Sequence, residues 1–252
     1  MTDTAWISLR ELLACPFCHD ELVESGDGLQ CAGCMRAYRL VDAVPDFLPA
    51  ERPVEQAPGL LGRALATVVA VPAVYDFVQR LAGAQEIRTR LQRMLGDPGD
   101  LVVLDIGAGT GMLETSLPPS VRYIWLDADP QKLAGFRVRS SAPAILADAT
   151  KLPLRDDAVD WAISVGVSHH LDDSAFAHML DEVRRVARSG LVFLDAVVVP
   201  TARNRLLWRY DRGQHPRPAR TLWREIAARF EIGASEEFTL LHHYLLIPAG
   251  RR

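Results

Sequence analysis

The chain has 252 residues, with 49% apolar and 24% charged side chains, which is an ordinary composition for a folded protein with a sizeable core. Twenty-eight basic against 32 acidic residues leave a formal charge of −4, which excludes a globally basic nucleic-acid binder while leaving room for a local basic patch. Met1 to Arg10 lacks the apolar stretch of a secretory signal, and Arg63, Pro72 and Asp76 interrupt the most apolar segment, Leu60 to Leu81, so no membrane span and a cytoplasmic address are expected.

In chain order, the first chemical signal is a set of four cysteines. Cys15 and Cys18 form one C-x-x-C, and Cys31 and Cys34 form a second, twelve residues later. Two such knuckles can bring four thiolates to the corners of a tetrahedron, the arrangement Zn²⁺ takes in a closed structural site. A disulfide pair suits a cytosolic chain poorly, and a redox dithiol needs one C-x-x-C rather than two. Ser25-Gly26-Asp27-Gly28 between the knuckles reads as a hairpin turn. Residues 9 to 49 resemble the small zinc-ribbon activators of tRNA and protein methyltransferases. That family usually has a glycine where Ala43 stands.

Residues 51–59 are polar with two prolines and read as a linker, which divides the chain into a ribbon (1–50), the linker and a second domain (60–252). Two helices are expected near 60–70 and 73–95, stopped by Gly96-Asp97-Pro98-Gly99. Leu101 to Ile106 is then a continuous apolar run broken by Asp105, as for a strand buried on both faces of a parallel sheet. Gly107, Gly109 and Gly111 come next. Their spacing is not the G-x-G-x-x-G of a dinucleotide site, and no P-loop Gly-Lys-Ser/Thr is present.

Asp105-x-Gly107-x-Gly109-x-Gly111 resembles motif I of the class I S-adenosylmethionine-dependent methyltransferases. The likeness runs over about residues 72 to 247 and implies a doubly wound α/β domain with a mostly parallel seven-stranded sheet. Tyr123 to Asp127 reads as a second strand ending in the acid that, by the resemblance, binds the ribose hydroxyls. Asp129, two residues on, competes for that role. Pro143 to Ala149 reads as a third strand, ending in Asp148 and Ala149 where the family meets adenine. Val159 to Val165 is a fourth strand and Leu191 to Val199 a fifth. Between them, Phe176, Met179, Leu180, Val183 and Val186 make one helical face, capped by Asp173 or Ser174 and stopped by Gly190. The resemblance implies cofactor contacts from Tyr75, Asp105, Gly107, Gly109, Gly111, Asp127, Ala128, Asp148, Ala149 and Ser164. Each acid alone could equally be a loop or capping residue; their order after successive strands favours the cofactor role.

The acceptor is read from the residues beyond the fourth strand. His169, His170 and His215 are candidate bases, because imidazole titrates near neutral pH; paired histidines at 169 and 170 also occur in the family as packing residues. Seven arginines lie between Arg203 and Arg224, interleaved with Trp208, Tyr210, His215 and Trp223. Arg209, Arg212 and His243 are the candidate substrate residues, and the arginines point to an anionic acceptor, such as a phosphate, a carboxylate or a nucleic-acid backbone. The core resembles the small-molecule branch that includes quinone and natural-product methyltransferases, which implies a small one. Leu222, Ile226 and Phe230 read as an ordinary helix stripe over the same stretch. The alternatives are an RNA base methyltransferase that uses the ribbon to place RNA, and a non-catalytic activator. Against the first, strand four ends in Ser164-Val165-Gly166-Val167 with no Asn/Asp-Pro-Pro-aromatic motif.

Overall fold

The computed structural model describes residues 9–49, 84–95, 99–211 and 213–252. The expected helix at 60–70, the first half of that at 73–95, Tyr75, the linker and Arg212 lie outside the described residues.

The ribbon is an antiparallel meander of β1 (Leu22–Ser25), β2 (Gly28–Cys31), β3 (Ala37–Val41) and β4 (Val44–Asp46). The first turn places Gly26 at φ +61°, as expected. The second places Asp42 and Ala43 at φ +50° and +60°, the two left-handed positions of a tight hairpin. The ribbon does not stand apart. β4 pairs in parallel with β7 through Asp46 and Leu146, and Phe47 N donates to Leu146 O at 2.8 Å.

One sheet therefore runs β1-β2-β3-β4-β7-β6-β5-β8-β9-β12-β10, with β11 also on β12. β5 (Val102–Ile106), β6 (Arg122–Asp127), β7 (Ala144–Leu146), β8 (Val159–Val165) and β9 (Ala187–Val197) are parallel. β12 (His243–Arg251) runs antiparallel to β9, and β10 (Phe230–Ile232) and β11 (Glu236–Thr239) run antiparallel to β12. Seven of these strands, β7 through β10, make the expected mostly parallel sheet. The described helices are α1 (Ala84–Leu95), α2 (Pro130–Arg137), α3 (Asp173–Val186), α4 (Ala202–Tyr210) and α5 (Ala219–Ala227).

Both faces are covered, as a parallel sheet requires. On one, α3 sends Phe176, Met179, Leu180, Val183 and Val186 inward, and α5 adds Leu222 and Ile226. The β7–β8 connection carries no helix, so the same face over β6 and β7 would be bare. The ribbon covers it. Leu9, Leu13, Leu22, Leu29, Tyr38 and Phe47 belong to one apolar cluster with Ile124, Leu126, Ile145 and Leu154. Leu13 bridges Leu154, and Arg155 N donates to Leu12 O at 2.8 Å. The opposite face packs α2, through Leu133 and Phe136, and α1, through Leu91.

Local readings shift in four places. Asp172, not Asp173 or Ser174, caps α3, accepting from Ala175 N at 2.8 Å. α3 ends at Val186 and β9 begins at once, so Gly190 is not a helix stop. It lies inside β9 opposite Gly250, where a Cβ would stand 2.1 Å from Ala249 O; glycine lets β12 approach. Phe230 opens β10 rather than extending the α5 stripe. His242 precedes β12 instead of lying in it.

Candidate functional site

The four cysteine sulfurs lie within 4.8 Å of one another, with Cys15–Cys34 at 3.6 Å and Cys18–Cys31 at 3.3 Å. A disulfide needs about 2.05 Å, whereas sulfurs about 2.3 Å from a tetrahedral zinc stand roughly 3.8 Å apart. The knuckles match each other. His19 N donates to Cys15 O at 2.9 Å and Met35 N to Cys31 O at 3.1 Å, with φ +58° and +60° at His19 and Met35. Cys34 N and Arg36 Nη1 point at sulfur, at 3.4 and 3.8 Å from Cys31 Sγ and Cys34 Sγ. The donor set fits a four-sulfur metal site and leaves no open position for catalysis.

The second site lies at the carboxyl ends of the parallel strands. After β5 the chain moves outward to β6 and β7, then returns to the other side of β5 as β8. The crevice between β5 and β8 is the switch point where doubly wound sheets bind ligands. Gly107, Gly109 and Gly111 form the loop on its β5 side, with φ of +66°, +57° and +73°. A Cβ on Gly107 would meet Val167 Cγ2 at 2.4 Å, and one on Gly111 would meet Phe136 Cδ2 at 2.2 Å. Glycine is needed there both for the turn and for space.

Asp127 holds this loop. Its Oδ2 accepts from Gly109 N at 2.8 Å and its Oδ1 from Asp129 N at 2.9 Å. Each oxygen keeps a lone pair for a diol. Burial pushes its pKa up, against the pull of those two N–H groups. Asp129 caps α2 through Gln131 N at 2.8 Å, so the geometry separates the two acids. Trp125 joins the site without a sequence signal of its own. It stacks on Phe136 at 5.4 Å and donates Nε1 to Gly109 O at 2.9 Å. Asp105 is 3% exposed, and its Oδ2 accepts from Tyr123 OH at 2.5 Å. Its carboxyl is thus spent beneath the loop. Burial lifts its pKa to about 7. β7 ends at Leu146, short of the expected Ala149; Asp148, in the loop beyond it, is exposed and accepts from Thr150 N and Oγ1 at 2.8 Å, with Ala149 next to it in the turn. Ala128 follows Asp127 directly. Thr110 Oγ1, in the loop, and Ser164 Oγ, on β8 opposite Ile106, are buried without a partner among the described residues. Orphaned polar atoms and a glycine cradle around a held carboxylate fit a nucleoside ligand with a polar tail.

On the β8 side, a 3₁₀ turn (Ser168–His170) carries the histidines. His169 Nδ1 lies 2.6 Å from Asp195 Oδ1. Asp195 sits in β9 fully buried, and it also binds Ser168 N at 2.7 Å, Ser168 Oγ at 2.6 Å and Ala196 N at 2.7 Å. Burial works to lower the pKa of His169, but the hydrogen bond and charge of Asp195 prevail and raise it. Trp208 packs edge-on to both His169, at 5.6 Å, and His242, at 5.0 Å. Asp211 stands 3.8 Å from His169 Nε2 and 3.6 Å from His242 Nε2. Trp208 Nε1 and His242 Nδ1 are buried with no partner among the described residues. Burial lowers the pKa of His242. Sequence reasoning misses Asp195 and His242. A carboxylate inside the otherwise apolar run Leu191–Val199 is the available signal for Asp195.

The other candidates divide. His170 is exposed, its ring 4.3 Å from that of His169. His215 reaches the site by its backbone, N donating to His169 O at 2.9 Å. His243 does not join the cluster of His169, Trp208 and His242. It lies on the outer sheet, Nε2 2.9 Å from Glu237 Oε2 and Nδ1 2.7 Å from Thr239 Oγ1; its neighbour His242 takes the place expected of it. Arg209 is exposed on α4 beside Trp208. Arg217, counted among the arginines for an anion, is 6% exposed. It clamps Ser168 O at 2.7 Å, Leu171 O at 2.8 Å and Asp173 at 2.7 Å. Arg203 binds the carbonyls of Leu240 and Leu241. Arg203 and Arg217 therefore serve the fold, while Arg205, Arg209, Arg220 and Arg224 are exposed.

Residues 103–190 match a family model described as a methyltransferase domain. A 37.1 kDa protein of unknown role in transposon TN4556 of Streptomyces fradiae is 32% identical over 174 residues. These cover 64% of this chain and 48% of that protein, so the chain spans about half the length of that relative. Among solved structures, the complex of the Haloferax volcanii Trm112 methyltransferase activator with a putative methyltransferase matches at TM-score 0.58 and 16% identity, over 70% of this chain and 94% of that one. The magnesium protoporphyrin IX methyltransferase of Synechocystis, solved with S-adenosylhomocysteine, matches at 0.57 and 17%, over 70% and 87%. The fold is the Rossmann-like fold of these methyltransferases. Among the described residues, no helix is long and apolar enough to cross a membrane.

Proposed function

We propose that the chain transfers the methyl group of S-adenosylmethionine to a small acceptor bound on the β8 side of the switch-point crevice. The observation that carries this reading is the glycine loop held by Asp127 at the β5–β8 switch point, where the family match lies. The sulfonium supplies the methyl group. Asp127 would take the ribose hydroxyls, Asp148 and Ala149 the adenine edge, and the loop and Ser164 the amino-acid tail. Zn²⁺ held by Cys15, Cys18, Cys31 and Cys34 is structural in this reading. The chain's part in catalysis is to hold two reactants in line and exclude water, which alone is worth several orders of magnitude in rate.

The acceptor of this reading is small and carries an anionic group. Asp195 and Asp211 make the inner wall acidic, so the anion sits outward, toward Arg209, and the reacting atom inward, toward His169. Isothermal calorimetry with S-adenosylhomocysteine tests the cofactor site. Asp127→Ala is expected to weaken binding by at least about tenfold, the loss of a charge-assisted bond, with the fold intact by circular dichroism. Equal affinity of the two proteins would refute the ribose assignment. Methyl-labelled cofactor, incubated with an extract separated into RNA, protein, lipid and small molecules, then finds the acceptor. A second reading, RNA methylation, draws on Phe17. It is 47% exposed at the ribbon tip, with Arg36 3.9 Å and Lys151 4.8 Å from its ring, a basic stacking platform. Label in RNA would decide for it.

A further inference from the structure

Asp195 determines which nitrogen of His169 is available. Its two oxygens accept from two backbone N–H groups and one hydroxyl besides the imidazole, so both are occupied as acceptors. His169 Nδ1 must then be the donor, and the lone pair of the neutral ring lies on Nε2. Nε2 has no partner within hydrogen-bond reach among the described residues; Asp211 is 3.8 Å away. The hydrogen bond to Asp195 orients the ring. Gly213 lies against its Cδ2 edge, where a Cβ would stand 2.2 Å away, and His215 N donates to the His169 carbonyl. The ring is thus oriented with Nε2 turned away from Asp195. Val167, two residues before it, touches the glycine loop at Gly107. Two buried hydrogen-bonding atoms, Trp208 Nε1 and His242 Nδ1, await partners beside it.

We infer that His169 is the general base for the acceptor and that the acceptor's nucleophile is a phenol-type or enolic hydroxyl; this rests on the methyltransferase reading. The O–H bond breaks, its electron pair stays on oxygen, and the proton goes to Nε2. The oxygen then has the charge to attack a methyl group. Neutral amines and thioethers need no base. Ordinary alcohols are too weakly acidic for imidazole, whereas a phenol near pKa 10 is within reach. Trp208 offers an aromatic wall and a donor to an oxygen on the same ring. Asp195 is a positioning residue. Every charged group around the ring contributes: Asp195 from β9 and Asp211 beyond α4 favour the imidazolium, Arg217 opposes it, and His170 and His242 flank it.

The test uses 4-nitrophenol, whose ionised form absorbs visible light, bound to the full chain with and without S-adenosylhomocysteine. Absorbance is followed between roughly pH 5 and 9, spanning the imidazole range. The bound probe should ionise at least one pH unit lower than the free probe. His169→Gln should abolish the shift, and Asp195→Asn should reduce it. Nitrogen-15 NMR of wild type should show His169 with its proton on Nδ1, a readout that survives if either variant misfolds. A bound probe that ionises like the free one, an equal shift in His169→Gln, a proton on Nε2, or no probe binding while S-adenosylhomocysteine binds would each overturn the inference. Failure of S-adenosylhomocysteine to bind, with the probe still ionised, would instead overturn the methyltransferase reading.

Discussion

Asp105 sits in the middle of the sheet with its carboxyl against Tyr123 OH. Burial raises its pKa from 3.8 to about 7. A carboxyl whose folded pKa is raised binds its proton more tightly folded than unfolded. The contribution of Asp105 to stability is therefore greatest below pH 3.8, falls as pH rises toward 7, and levels off above it. The loss across that window is of the order of a few kcal/mol. Asp105→Asn keeps an acceptor for Tyr123 and removes the charge. We expect it to flatten stability between those limits and to stabilise the protein at pH 8 by about 1–3 kcal/mol, measured by urea unfolding at several pH values. A pH dependence unchanged in the variant would assign the slope to other groups. Position 105 was legible as part of the motif. That its carboxyl is spent on β6 was not, because the Tyr123 partner is set by strand pairing.

At the scale of elements, the glycine loop is built by three neighbours at once. Gly111 rests on Phe136 of α2, Phe136 stacks on Trp125 of β6, and Trp125 holds Gly109 O. Gly111→Ala would add a Cβ 2.2 Å from Phe136 Cδ2 at a φ of +73°. Left-handed strain and overpacking together cost about 2–4 kcal/mol. Because Phe136 must move, Trp125 and the loop follow. The expected outcome is a Tm lowered by several degrees and S-adenosylhomocysteine affinity reduced by at least about tenfold. Unaltered affinity in a folded variant would separate the loop from the aromatic stack. The loop and the four flanking strands were readable because periodicity and glycine spacing are local. The cap at Asp172 and the use of Gly190 were not, because each depends on what packs against it.

For the whole molecule, the ribbon takes the place of a helix. Its apolar residues share a cluster with β6, β7 and the β7–β8 connection, and its last strand extends the sheet. In the proposed reading, zinc binding is coupled to the folding of the whole chain rather than to an appendage. Cys15→Ser, or strong chelation of a zinc-loaded sample, should lower one cooperative unfolding transition in calorimetry by several degrees or more. Two separate transitions, with the upper one unmoved, would show that the sheet does not depend on the ribbon. The continuity of the two parts could not be read from residues 51–59, since a polar linker looks the same whether or not its neighbours pack together.

The amino-acid sequence by itself determined the sulfur donor set, the glycine loop and the order of the parallel strands. The knuckles, the loop and the apolar run of each strand are written in spacings of a few residues, where chain geometry alone decides what can meet. Only the tertiary structure decided that His169 is held by Asp195, that His242 rather than His243 packs on Trp208, and that Arg217 serves the fold. It also decided that the ribbon closes the sheet's open face. These pairs lie 26 or more residues apart, with the exception of the neighbouring histidines, which the strand register assigned to different environments. Long-range partners are chosen by packing, and packing leaves no local pattern to read.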